Sequence, residues 1–206
     1  MKRLVIAPHM DDESMGCGGL LAKYPGEAVV VTVTQSGAQR AAEHERAMDL
    51  LGVRISQNLG FEDSRVERHM AELVGALDEV LARYRPDEVY LPYPSMHQDH
   101  IAVYEAGMRS CRVSMSAEHW FPPSVLVYDI ASYDVNLYPT DLRWNVFEPL
   151  TEEQVNLKHA ATMAYASENP SDVHPINATR EIAAAVGRVR LLPYAEQYAL
   201  VRNVRA

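Results

Sequence analysis

Residues Ala28–Thr34 read Ala-Val-Val-Val-Thr-Val-Thr, a β-branched run without the alternation of a half-exposed strand. A strand of that kind is buried on both faces, which calls for a mostly parallel sheet with helices packed on each side. Leu4–Ala7, Glu88–Tyr93 and Ser124–Ile130 are further short apolar runs of the same type. Helical segments fall between and after them. Ser14–Leu21 is a Gly-rich entry into a first helix, and Arg40–Leu51 is a second, stopped by Gly52. Within Glu67–Tyr84, residues Met70, Leu73, Val74, Leu77, Val80, Leu81 and Tyr84 form one apolar stripe at helical spacing, ended by Arg85-Pro86-Asp87. His100–Cys111 and Thr179–Val189 also read as helices, and Thr151-Glu-Glu-Gln154 has the form of a capping box opening a helix to about Ala166. Ala195–Val201 reads as a closing strand. The alternation predicts an α/β fold with a doubly wound, mostly parallel sheet, in a single domain over residues 1–206. Ser110–Pro123 and Ser132–Pro149 are expected to be irregular, as candidates for a lid or substrate wall.

Composition narrows the partners. A formal net charge of -9 argues against nucleic acid and against an anionic membrane surface, both of which select a basic stripe. No apolar stretch approaches the ~18 residues of a spanning helix. The apolar run after Lys2-Arg3 stops at His9, too soon for a secretory signal, so a soluble, cytoplasmic protein is expected. Cys17 and Cys111 are too few for a disulfide framework, and no CxxC pair is present.

Two clusters of ligand-type residues stand where apolar strands run out. His9, Asp11 and Asp12 follow Leu4–Ala7, and His97-Gln98-Asp99-His100 follows Val89–Tyr93. Imidazole and carboxylate at two adjacent strand ends can form a metal site with an open position for water. A divalent cation would also relieve the repulsion of neighbouring carboxylates. A helix N-terminus is the competing reading of the acidic run, and for Glu13 and Ser14 it stands level with any functional role. Two other readings fit poorly. Gly16 and Gly18 begin a dinucleotide fingerprint, but Leu21 occupies its third glycine position. A phospho-acceptor receiver domain would leave His9 unexplained and needs a lysine that the strand end at Val127–Ile130 does not offer. The His-Asp pair of an all-helical phosphohydrolase conflicts with the Val-rich strands. His44, His69, His119, His159 and His174 have no comparable neighbours, and solvated or structural roles are expected for them.

Taken together, the clusters resemble the LmbE-like/PIG-L deacetylase family. Its His-Pro-Asp-Asp-Glu motif stands here as His9-Met10-Asp11-Asp12-Glu13, and its His-Pro-Asp-His motif as His97-Gln98-Asp99-His100. Gly18-Gly19-Leu20-Leu21-Ala22, Thr34-Gln35-Ser36-Gly37, Arg40-x-x-Glu43 with Leu51-Gly52-Val53, Lys158–Ser167 and Tyr194-Ala195-Glu196 resemble further family segments, so the likeness covers most of the chain. Met10 and Gln98 replace the two motif prolines, and Ser95 stands where some relatives carry an aromatic substrate contact. The resemblance implies a Rossmann-like fold and one catalytic zinc per chain, with iron(II) left open as an alternative. It implies hydrolysis of an acetamido sugar or sugar conjugate of the N-acetylglucosamine type by zinc-activated water. The implied ligands are His9, Asp12 and His100. Asp11 would be the general base and His97 the general acid or oxyanion stabiliser, with Asp99 orienting and charge-tuning His97. Arg40 is a candidate contact for substrate hydroxyls or a phosphate, and equally a helix-start ion pair with Glu43. The aromatic-rich segment Tyr133–Trp144 could stack a sugar face or simply pack. A metal-dependent phosphoesterase and a metal-binding protein without turnover are the alternative functions, and a homo-oligomer is left open.

Overall fold

The computed structural model describes residues 1–130, 140–168 and 175–204. The chain runs β1 (Arg3–Ala7), α1 (Asp12–Lys23), β2 (Ala28–Thr34), α2 (Ala38–Leu51), β3 (Ile55–Phe61), α3 (Met70–Tyr84), β4 (Glu88–Pro92), α4 (Gln98–Ser110) and β5 (Ser124–Tyr128). It continues through β6 (Trp144–Leu150), α5 (Glu152–Met163), α6 (Thr179–Arg188) and β7 (Tyr194–Asn203). Seven strands form one sheet in the order β3-β2-β1-β4-β5-β7-β6. The first five are parallel, and β7 runs antiparallel to both β5 and β6.

The absence of alternation in the strands has its expected cause. In β1, Leu4 and Ile6 enter a core with Leu73, Leu77 and Leu81 of α3 and Val103 and Ala106 of α4. Val5, between them, enters a second core with Leu20 and Leu21 of α1, Met48 and Leu51 of α2 and Ala161 of α5. Successive side chains point to opposite faces, so a strand covered on both must be apolar throughout. Gly52 takes a left-handed conformation (φ 70°) to end α2, and Thr151 and Gln154 form the reciprocal capping box that opens α5. Gly16 has a packing role: a Cβ there would overlap the ring of the fully buried Tyr128 of β5.

Two expectations need correction. Ser132–Pro149 is not irregular throughout, because Trp144–Leu150 is strand β6, paired with β7. Residues 131–139, and with them most of Tyr133–Trp144, lie outside the described residues, as does His174. Strand β3 also went unforeseen. It is a sheet edge whose residues alternate between half-buried and exposed, and Ser56, Gln57, Asn58 and Gly60 dilute its apolar signal.

The topology creates the crevice. From β1 the chain moves to β2 and β3 on one side, then returns to place β4 on the other side of β1. The loops leaving β1 and β4 therefore diverge, and the space between them opens at the carboxyl ends of the strands.

Candidate metal and catalytic site

Both ligand-type clusters flank that crevice. Asp12 is buried, and one of its carboxylate oxygens, Oδ2, lies 3.3 Å from His9 Nδ1 and 3.3 Å from His100 Nε2. Tetrahedral coordination with bonds of about 2.0–2.1 Å places donor atoms about 3.3 Å apart. Asp12 Oδ2 stands at that spacing from each of the two imidazole nitrogens, and imidazole with carboxylate is a donor set suited to a divalent metal. The ring of His97 also lies close, and His9, His97 and His100 each offer a nitrogen within 4.8 Å of the others. His9, Asp63 and Asp99 form an overlapping group of possible ligands.

The outer nitrogens explain why the inner ones face the centre. His100 Nδ1 meets Ser95 Oγ at 3.1 Å, and His9 Nε2 meets Asp99 Oδ2 at 3.2 Å. Asp99 is fully buried and accepts backbone N–H bonds from Ser64 (2.7 Å) and Val66 (3.3 Å). A ligating histidine whose other nitrogen leans on a carboxylate is held in one tautomer and orientation. The Asp99 carboxylate thus leans on His9, while its charge also acts on His97 in the raising direction. The backbone N–H of Asp99 donates to His97 Nδ1 (3.2 Å), where His97 caps α4. The helix begins at Gln98, and its first turn carries the Asp99 side chain toward His9 and the loop after β3.

Charges in the site follow these contacts. Burial opposes ionisation of His9, but hydrogen bonds to Asp12 and Asp99 prevail and push its pKa up to about 10. Burial likewise opposes the carboxylates of Asp12 and Asp99, yet both stay below the usual range, held by His100 and His9 at Asp12 and by His9 and the two amides at Asp99. Asp11 goes the other way. Burial and the charge of Asp12 raise it well above an ordinary carboxyl, with Arg40 only partly offsetting them. Burial and the charges of His9 and His100 lower His97, and Asp99 does not make up the difference. Because His97 Nδ1 accepts an N–H, the proton of the neutral ring sits on Nε2.

Asp11 has an unusual backbone, with φ 141° and ψ -32°, a strained region for a residue with a Cβ. Its neighbours hold it there. Its N–H donates to Glu13 Oε2 (3.1 Å), and its carbonyl accepts from Ser14 and Met15. Glu13, fully buried, accepts in turn from Ser14 Oγ (2.7 Å) and Tyr165 Oη (2.6 Å). Tyr165 Oη meets His44 Nδ1 at 2.8 Å, and His44 Nε2 meets Ser56 Oγ at 2.7 Å. His44, expected to be structural, is the far end of this brace.

Arg40 reaches the site but is engaged by protein. It bonds Met10 O and Asp11 Oδ2 (3.2 Å) through Nη1, pairs with Glu168 through Nη2, and bonds Ser167 Oγ through Nε. Its expected partner Glu43 instead accepts from Gln39 and from the Ser167 amide and hydroxyl. A cavity of about 310 Å³ opens over this ground, lined by His9, Asp11, Asp12, His97 and Arg40 together with Met15, Thr34, Ser36, Asp63, Ser64, Glu168 and Ile176. Sequence reasoning did not single out Asp63, Ser64, Tyr165 or Glu168 for the site. Recognising β3 would have pointed to the first two, since they follow another parallel strand end. Nothing local marks the others.

An α/β domain with a His/Asp cluster at its topological switch point is the class defined by fold and site. The family described as GlcNAc-PI de-N-acetylase, PIG-L, matches residues 4–111, and this chain belongs to it. The uncharacterized deacetylase YaiS of Escherichia coli (strain K12) is 31% identical over 179 residues, covering 80% of this chain and 90% of that protein. Among solved structures, the conserved protein TT1542 from Thermus thermophilus is similar at 24% identity and a TM-score of 0.82, over 100% of this chain and 97% of that one. The N,N'-diacetylchitobiose deacetylase from Pyrococcus horikoshii is similar at 21% identity and a TM-score of 0.78, over 97% and 83%. The 4-carboxy-2-hydroxymuconate hydratase GalB from Pseudomonas putida KT2440 shares the fold too, at 18% identity and a TM-score of 0.74, over 100% and 98%. At such identities the structures speak for the fold alone, and a hydratase among them means that the fold does not name the bond.

Proposed function

We propose that this protein is a metal-dependent N-deacetylase that hydrolyses an acetamido sugar or sugar conjugate, with residues 1–206 acting as one domain. The observation that carries the reading is Asp12 Oδ2, equidistant from His9 Nδ1 and His100 Nε2, with Asp11 and His97 on the same cavity. His9, Asp12 and His100 would hold the ion, zinc by donor type. Bound there, it supplies Lewis-acid polarisation of the acetamide carbonyl and a lowered pKa for water.

The chain's own residues supply proton traffic and orientation. Asp11 takes a proton from the attacking water as its oxygen bonds to the carbonyl carbon. Asp11 shares the cavity with Asp12 and stands outside the proposed ligand set, which leaves its carboxylate open to carry that proton. The C–N bond breaks, Asp11 returns the proton to the departing nitrogen, and acetate and a free amine result. His97 Nε2–H donates to the carbonyl oxygen as negative charge develops on it. Asp99 keeps His9 in its ligating orientation, and Ser95 does the same for His100.

The test is fluorescamine detection of free amine across a panel of N-acetylated sugars, with and without zinc, and a generic phosphate ester as control. Zinc-dependent amine release is expected. Turnover of the ester alone would overturn the reading in favour of a phosphoesterase.

A further inference from the structure

The peptide between Met10 and Asp11 is gripped at both ends. Its carbonyl accepts from Arg40 Nη1, and its N–H donates to Glu13 Oε2 at 3.1 Å. The grip coincides with φ 141° at Asp11, a conformation that a residue with a Cβ keeps only when its surroundings impose it. The other oxygen of Glu13, Oε1, accepts from Ser14 Oγ (2.7 Å) and Tyr165 Oη (2.6 Å). The Tyr165 hydroxyl has one proton, and Glu13 receives it. His44 Nδ1, 2.8 Å from the same hydroxyl, is therefore the donor of that bond. In the neutral ring Nε2 then accepts from Ser56 Oγ at 2.7 Å. Every donor in the series points toward Glu13. Tyr165 is fully buried and His44 nearly so. A buried hydroxyl and imidazole are costly unless paired, and apolar side chains would fill the same space without that cost.

Resting on the assignment of Asp11 as base in the deacetylase reading above, we propose that Tyr165 and His44 are positioning residues that hold Asp11 in its reactive pose through Glu13. Neither belongs to the described lining of the cavity, so neither would touch substrate. Rotation about the last bond of a glutamate side chain is soft, and its two oxygens turn together. Glu13 can aim Oε2 at the Asp11 N–H only while Oε1 is anchored. Tyr165 supplies an anchor, and His44, by donating to Oη, leaves the Tyr165 proton aimed at Glu13. Without this series the Asp11 peptide is free to relax, and the carboxylate swings away from the attacking water. A misplacement of about 1 Å can cost about 100-fold in rate. The series ends on Asp11, outside the proposed ligand set, so its loss falls on turnover and not on metal.

The experiment follows acetate release from N-acetylglucosamine by zinc-loaded Tyr165→Phe, His44→Leu, His44→Asn and the Tyr165→Phe/His44→Leu double variant. Hydrogen exchange of the Asp11 amide is read alongside by NMR. Tyr165→Phe should lower kcat by about 10–100-fold with KM and metal content unchanged. The Asp11 amide should exchange at least about tenfold faster in it, while amides of β1 and β2 keep wild-type protection. His44→Leu should lower kcat in the same direction. His44→Asn, whose amide nitrogen can donate to Tyr165 in place of Nδ1, should recover most of that loss. In the double variant kcat should fall no further than in Tyr165→Phe, because His44 acts through the Tyr165 hydroxyl. Wild-type kcat and wild-type Asp11 exchange in Tyr165→Phe would overturn the proposal, even with a lowered melting temperature. Equal losses in His44→Leu and His44→Asn, or additive losses in the double variant, would reduce His44 to a packing role and overturn its part. Should Tyr165→Phe fail to fold, the two single His44 variants decide by the same readouts. Faster Asp11 exchange in the variants with no acetate release by wild type would sink the deacetylase reading and leave the positioning role standing. Acetate release by wild type, with kcat and exchange unaltered in the variants, would do the reverse.

Discussion

His97 and Asp99 stand two residues apart and act on different partners. His97 caps α4 and turns Nε2–H toward the cavity, while the Asp99 carboxylate crosses to His9. His97→Ala should therefore retain bound metal by elemental analysis and lose kcat by about 10²–10³-fold, the usual size of a lost oxyanion donor. Asp99→Asn should weaken metal binding by about 10–100-fold, because the ring of His9 loses its anchor. Equal metal loss in both variants would put His97 among the ligands. The pH dependence follows from the direction of the His97 shift. A pKa below the ordinary ~6.5 keeps the ring neutral at and above neutral pH, so protonation removes its acceptor at Nδ1 only on the acidic side. The alkaline limb of kcat should thus be the same in wild type and His97→Ala. A limb that vanished in the variant would instead assign His97 the role of a cationic acid.

At the scale of elements, α1 is held between the site and the sheet. Its N-terminus presents Asp11 and Asp12 to the crevice, and Gly16 lets it lie against Tyr128 of β5. Gly16→Ala should cost about 1–3 kcal/mol in chemical denaturation, the range for overpacking. A neutral result would mean that Tyr128 can shift. Farther along the helix, Gly19 and Leu20 donate backbone N–H bonds to Glu196 of β7 (2.7 and 2.8 Å). Glu196 also accepts from Lys158 of α5 and from Tyr198. The buried Lys158–Glu196 pair thus joins α1, α5 and β7. Lys158→Met should destabilise the fold by about 3–5 kcal/mol, because Glu196 would remain buried without its cation.

For the whole molecule, β7 and β6 extend the parallel sheet beyond β5, so the C-terminal strand is part of the same sheet as the strands that carry the site. Among the described residues no helix is long and apolar enough to cross a membrane. Burial has a chemical consequence at the cysteines. Cys111 is pushed up to about 12, and Cys17 is raised as well, burial leading in both. Thiolate is the reactive form, so at pH 8 neither thiol should react with Ellman's reagent until the protein unfolds. Prompt native-state labelling would contradict this packing. The sign for stability follows. A thiol raised on folding contributes fully below its unfolded pKa of about 8.5, and that contribution fades as pH climbs toward 12.

Local periodicity and spacing carried much of this protein. The unalternating Val run of β2, the stripe of α3 and the capping box at Thr151 are short-range patterns whose meaning depends on 2.0- and 3.6-residue repeats, and each forms as read. The two ligand clusters were legible for the same reason, as polar residues placed where apolar strands stop. Strand β3 was not legible, because an edge strand needs only one well-buried face and its sequence is correspondingly weak. Nor could the sequence say which partner each polar side chain takes. Asp99 could have turned to His97, two residues away. The start of α4 turns it instead to His9, 90 positions distant in the chain. Arg40 could have paired with Glu43, three residues on, but the turn after α5 brings Glu168 to it. Hydrogen bonds and charge pairs act over a few ångströms in three dimensions. Their assignment therefore rests on which loops the sheet topology brings together, and that only the tertiary structure decided.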